Sequence, residues 1–223
     1  MKFTEISKIF LILCMPPLIF LLAADFVAFD QPFYQQKFID YGVDRGLPNF
    51  QSLHKNVIDF ISGKTSNLAN DFNQREKKHL MDVKKLVITG KIIMLSLIFS
   101  FAIILFVCSM KFKSGSNMKN FAGKMLISGG ILTIIIGILL LFFIKSDFQS
   151  AFESFHEFLF QKGTYSFDPQ KEVIVNLYPE QLFMDLGIRI AKFASIASGL
   201  SILAGLFLIA NKNKNNKKAV VFC

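Results

Sequence analysis

Three histidines stand in this 223-residue chain, His54, His79 and His156. The chemistry open to the chain turns on their neighbours. Asp82 follows His79 by three residues, a spacing that puts both on one face of a helix. Glu157 follows His156 directly, and Asp168 lies a short way downstream. Histidine is the side chain most easily poised for proton transfer near neutral pH, so two imidazoles beside carboxylates suit general acid–base work. The plainer use of each is an ordinary hydrogen bond at an interface. A zinc site would need three or four ligands in a set geometry, and the chain has no HxxxH or CxxC spacing, so no metal is expected. It also lacks Walker A, GxGxxG, GxSxG and HExxH patterns, so no cofactor is expected.

The elements that must position these residues follow from composition. Apolar residues make up 52% of the chain and charged residues only 18%. The mean hydropathy is +0.47. Such a chain is too apolar for a soluble domain, and it is neither disordered nor collagenous nor a disulfide-stapled module. Phe is abundant (27) and Trp absent, alongside much Ile, Lys and Asn, which reads as compositional bias and not as a site. Residues 9–29, 86–110, 125–144 and 186–210 are long and apolar enough to cross a bilayer. Backbone groups find no water there, so each must be helical. Pro16, Pro17 and Asp25 suggest that the first span is kinked and ends near Ala24. Its start reads as an uncleaved anchor: Leu13 is too large to precede a processed Cys14, and the apolar run continues beyond it. Ser198, Gly199, Ser201 and Gly205 would allow close helix packing in the last span.

Charge on the connections gives the orientation. Lys111, Lys113, Lys119 and Lys124 join spans two and three, and Lys212, Lys214, Lys217 and Lys218 fill a Lys–Asn tail that reads as disordered; neither stretch holds an acid. Lys2 and Lys8 precede the first span. Basic connections stay in the cytoplasm, so both termini are expected there. The net charge of +9 is then an orientation signal, and no nucleic-acid partner is expected. The acidic stretch 145–185 and the long stretch 30–85 face outward. Cys14 and Cys108 lie in spans and Cys223 ends the tail, so no outward disulfide or redox pair is available.

The expected organisation is a cytoplasmic N-terminus and first helix (1–29), an outer segment with His79 (30–85), two helices around a basic loop (86–144), an outer segment with His156 (145–185), and a last helix with its tail (186–223). In the first outer segment, Leu53, Val57, Phe60 and Ile61 recur at helical spacing, and Asn73 or Asp71 can cap a helix from Gln74 that flows into span two. At ~1.5 Å per residue His79 would stand roughly 10 Å above the hydrocarbon edge, at headgroup depth. In the second, Phe148, Phe152, Phe155 and Leu159 form a helical stripe, residues 164–169 favour a turn, and the β-branched stretch 173–179 reads as a strand or extended loop. His156 reaches the depth of His79 if its helix lies flat or folds back. Arg189 opens the last span, where it can snorkel to headgroups or support the site. The fold class is an all-α membrane protein of four transmembrane helices with a small, mostly helical extracytoplasmic head and scope for a short β-hairpin.

Arg75-Glu76-Lys77-Lys78-His79-Leu80-Met81-Asp82-Val83-Lys84, then Phe155-His156-Glu157, Phe167-Asp168-Pro169 and Pro179-Glu180, resemble in order and spacing the four-span lipoprotein intramolecular transacylase family. The resemblance extends to Phe33-Tyr34 after the first span; a Trp that members often carry before the Phe-Asp-Pro stretch is Tyr165 here. It implies an O-to-N acyl transfer. The sn-2 chain of a diacylglyceryl-cysteine lipoprotein would move to the α-amine of that same cysteine, giving a lyso-form N-acylated product. His79 and His156 match the functional histidine pair. The resemblance further implies a monomer in a prokaryotic cytoplasmic membrane, with its site at the outer leaflet and its partners diacylglyceryl-modified lipoproteins and membrane lipid. His156 is the favoured base and acid, oriented by Glu157 or Asp168, and His79 the second catalytic group, supporting the oxyanion or shuttling a proton, its tautomer fixed by Asp82; which of the two histidines serves as base stays open. Covalent acyl-histidine and direct transfer both remain open. A non-enzymatic scaffold or lipid-binding protein, or an acyl hydrolase, would be built from the same elements.

Overall fold

The computed structural model describes residues 3–112, 114–161 and 163–221, with side chains through residue 211. Lys2, Lys113, Cys223 and the side chains of Lys212, Lys214, Lys217 and Lys218 lie outside the described residues. All regular structure among the described residues is helical: α1 (Phe3–Ala28), α2 (Gln31–Asp40), α3 (Val43–Gly46), α4 (Phe50–Ile61), α5 (Gln74–Lys111), α6 (Gly115–Ser146), α7 (Phe148–Leu159), α8 (Val173–Leu177) and α9 (Glu180–Val221). Four of them, α1, α5, α6 and α9, are long and apolar enough to cross a membrane. They leave large apolar side chains such as Phe99, Phe106 and Met110 on α5 and Phe142 on α6 uncovered by protein. That surface suits lipid contact, where burial against protein is not needed.

Three expectations need correction here. Helix α1 does not end near Ala24 but runs to Ala28, with Pro16 and Pro17 inside it. Asp25 is accommodated because the Lys91 ammonium lies 3.5 Å from its carboxylate. Residues 173–177 form a short helix, not a strand or hairpin, with Ile174 and Leu177 buried. Helix α9 continues through the Lys–Asn run to Val221 in place of a disordered tail.

The chain divides into two compact units. One combines residues 1–24, 93–141 and 190–223. Its buried cluster is Leu11, Cys108, Phe121 and Met125. Small residues bring α6 and α9 close: a Cβ on Gly205 would stand 2.7 Å from the Gly123 carbonyl oxygen, and one on Gly130 2.9 Å from that of Ser198. Ser201 donates across to the Leu126 carbonyl at 3.2 Å. Gly199, by contrast, faces open space and takes no part in this approach.

The other unit combines residues 25–92 and 142–189 and holds all three histidines. Its core gathers Tyr34, Phe38, Leu53, Val57, Phe60, Phe72, Leu80, Ile174, Leu177 and Leu182. The start of α5 is set by a reciprocal cap. The Asn73 side chain accepts from the Glu76 N–H at 3.0 Å, and the Glu76 carboxylate accepts from the Asn73 N–H at 2.6 Å. The other Glu76 oxygen accepts from the Ile174 N–H at 2.7 Å, so one buried carboxylate ties α5 to the first turn of α8.

Candidate active site

His79 is carried by the N-terminal part of α5, before its apolar stretch, and His156 by α7. Both are buried, at 8% and 7% exposure. Their rings are near-parallel, 22° apart, with centroids 6.4 Å from each other. Phe160 touches both, 4.8 Å from His79 and 5.5 Å from His156. Phe167 meets His79 edge-on at 5.3 Å, Tyr165 lies 5.2 Å from His156, and Phe152 lies 4.1 Å from His156. Aromatic rings thus exclude water from the imidazole pair.

This enclosure decides the protonation states. Burial lowers the His79 pKa to about 4, aided by the neighbouring His156 and opposed by Asp82. Burial also lowers that of His156, opposed by its hydrogen bond to the Phe152 carbonyl. Both rings are therefore neutral at pH 7. His156 Nδ1 lies 2.7 Å from the Phe152 carbonyl oxygen, one turn back on α7. A carbonyl only accepts, so Nδ1 carries the proton and Nε2 keeps a lone pair. His79 Nδ1 is buried without a hydrogen-bond partner among the described residues. Buried orphan N–H groups are rarer than under-satisfied acceptors, which favours the tautomer with its proton on Nε2. One ring then offers a base and the other a donor.

The expected supporting residues are arranged differently. Among the described residues no hydrogen bond joins Asp82 to His79; Asp82 acts on the ring only through its charge and pairs with Lys85 at 2.9 Å. Asp168 pairs with Lys171 at 3.2 Å and accepts from the Gln170 N–H, and among the described residues no hydrogen bond joins it to His156. Among the described residues no hydrogen bond joins Glu157 to His156, whose ring is held by the Phe152 backbone carbonyl. Arg189 pairs with Asp30 and lies over the Phe33 ring at 4.7 Å. Asp82→Ala should accordingly change activity less than about fivefold, the scale of an exposed ion pair. Turnover of purified variant and parent checks this, and a loss above a hundredfold would give Asp82 a direct role.

His54 stands apart from the pair. It is 1% exposed, packs on Tyr34 and Phe38, and its Nδ1 lies 2.9 Å from the Tyr178 hydroxyl. Burial lowers its pKa to about 4. Sequence reasoning missed Glu76 and Arg75. The Asn-x-x-Glu spacing of a capping box pointed to the first, and Arg75 lies one helical turn before His79. Among the described residues, no group of three or more His, Cys, Asp or Glu side chains could hold a metal ion.

Four membrane-length helices, with helix the only regular structure among the described residues, define a multi-pass membrane protein, and its buried imidazole pair is a candidate acid–base site. The chain belongs to the lipoprotein intramolecular transacylase (Lit) family, whose model matches residues 9–183. Its fold is that of the membrane integral Lit from Bacillus cereus, solved in meso: the TM-score is 0.82 at 23% identity, covering 95% of this chain and 98% of that one. Two variants of that protein, with a histidine replaced by arginine or by alanine, match with TM-scores of 0.78 at 22% identity, covering 95% of this chain and 94% or 96% of theirs, respectively. These likenesses establish the fold. No curated protein matches the sequence.

Proposed function

We propose that this protein moves the sn-2 acyl chain of a diacylglyceryl-cysteine lipoprotein to the α-amine of the same cysteine. The observation that carries this reading is the buried His79–His156 pair, both rings neutral and one with its basic nitrogen freed by a hydrogen bond on the other side. The amine attacks the ester carbonyl, forming the C–N bond and a tetrahedral oxyanion. His156 Nε2 takes the amine proton, and the His79 Nε2–H donates to the oxyanion. As the intermediate collapses, the C–O bond breaks and the His156 imidazolium protonates the leaving glycerol oxygen. Amide and free hydroxyl result, with no net proton change. The Phe152 carbonyl stabilises the transient imidazolium. Because amine and ester share one molecule, the site need only fold the lipid head, and orientation supplies much of the acceleration.

The site lies at the outer leaflet, with both termini cytoplasmic, in a prokaryotic cytoplasmic membrane, and the protein works as a monomer. A cysteine in place of the exposed Ser52 should react with an impermeant thiol reagent in intact cells above the parent's background. Labelling only after lysis would invert this orientation.

The pH profile follows from the neutral pair. A free α-amine has a pKa of about 7.7–8. Burial lowers the His79 pKa to about 4 and holds that of His156 below its ordinary 6.5, so at and above pH 6.5 the amine limits the rate on the acid side. The rate constant kcat/KM should fall about tenfold per unit below the amine pKa, with no second break near 6.5. A twofold steeper slope below pH 6.5 would mean an imidazole of ordinary pKa acts as base.

Expression in a bacterium that makes only diacyl lipoproteins, followed by mass spectrometry of a lipoprotein N-terminus, tests the function. The N-acyl lyso form is expected. Deacylated peptide with free fatty acid would select a hydrolase, and an unchanged N-terminus a non-enzymatic role.

A further inference from the structure

Tyr165 and Phe167 are two residues apart, yet they cover different histidines: Tyr165 lies on His156 and Phe167 on His79. They belong to a segment without regular structure that turns at Gly163, whose φ of +84° suits a residue lacking Cβ. Such a segment has no ladder or helix bonds to keep it in place, so something else must hold the two rings. Arg75 does. Its Nη2 donates to the carbonyl of Ser166, the residue between the two rings, and to that of Gly163 at 3.5 Å. Its Nη1 lies 3.4 Å from the Glu172 carboxylate, and its guanidinium sits 5.3 Å from the Phe167 ring centroid. Glu172 in turn accepts from the Asp168 N–H at 2.6 Å, closing the segment's far side. Arg75 and His79 are one turn apart on α5, so a single helix face carries both an imidazole and the clamp on its cover.

We propose that Arg75 is a positioning residue for the imidazole pair, pinning residues 163–167 so that Tyr165 and Phe167 stay over His156 and His79. The role needs a planar fork, because one side chain serves two carbonyls, a carboxylate and a ring face at once. Lysine, a point charge, cannot do so. The activity consequence rests on the transacylase reading; the accessibility consequence does not.

Diethyl pyrocarbonate reactivity, read histidine by histidine by mass spectrometry on the full protein in lipid nanodiscs, tests this directly. His54 is an internal control, being buried away from the segment. In Arg75→Ala and Arg75→Lys, modification of His79 and His156 should quicken at least about tenfold while His54 stays at the parent rate. The kcat should fall about tenfold to hundredfold with KM within about threefold, since orientation and water exclusion are lost. Free guanidinium ion should restore part of the protection in Arg75→Ala, because the arginine side chain is 47% exposed. Unchanged His79 and His156 reactivity in both variants overturns the proposal. Equal acceleration at all three histidines also overturns it, by making Arg75 a general stability residue. If the parent lacks transacylase activity yet the selective unmasking occurs, the positioning role stands and only the functional reading fails.

Discussion

His156→Ala should lower N-acyl transfer by about 10²–10⁴, the usual worth of a positioned general base. The large effect is expected because nothing else can take its place. Asp168 and Asp82 are engaged with lysines, Glu157 makes no bond to the ring, and the neighbouring side chains Phe152, Phe160 and Tyr165 offer no group basic near neutrality. His79→Ala should cost about 10²–10³, the scale of losing one oxyanion donor. Neither change touches the membrane-length apolar stretches, so protein levels and membrane insertion should stay at the parent value. Turnover of a diacylglyceryl-cysteine peptide by purified variants checks both. Full activity in the two single variants would remove the acid–base pair from the reaction.

Glu76→Ala should destabilise the histidine-bearing unit by about 2–5 kcal/mol, summing a lost helix cap with a buried N–H left unpaired. The residue is 1% exposed, and both its carboxyl oxygens accept backbone N–H groups, from Asn73 and from Ile174. Glu76→Gln should recover only part of this, because one amide end presents donors to a donor. Activity should fall with it, since the cap sits one turn from His79. The check is the thermal midpoint together with hydrogen exchange at Ile174, which should lose protection first. An unchanged midpoint with Ile174 still protected would show that the carboxylate ties nothing together.

The spans could be read because uninterrupted apolar length has few other outcomes. The proximity of His79 and His156 could be anticipated because each sits beside a span on the same side of the charge pattern. What escaped was governed by tertiary contacts. Val173–Leu177 has the β-branched content of a strand, yet Glu76 caps its first turn from another helix and the core buries Ile174 and Leu177. Intrinsic strand preference is small enough to yield to such contacts. The carboxylates next to the histidines were assigned by adjacency, but Asp82 and Asp168 found lysines three residues along their own segments. Their partner's place was filled by the Phe152 carbonyl, a group every residue carries and which no side-chain pattern can flag. Asp25 suggested a helix end until Lys91, distant in sequence, compensated it.

A crossover experiment on purified protein decides the rest. One diacylglyceryl-cysteine peptide carries a deuterated sn-2 chain and an isotopically heavy backbone, the other neither, and the two are mixed in equal amounts. Transfer within one molecule by the histidine pair gives only heavy chain on heavy amine and light on light, and both products vanish with His79 and His156 replaced together. Crossed products, free fatty acid, or undiminished transfer in that double variant would contradict it.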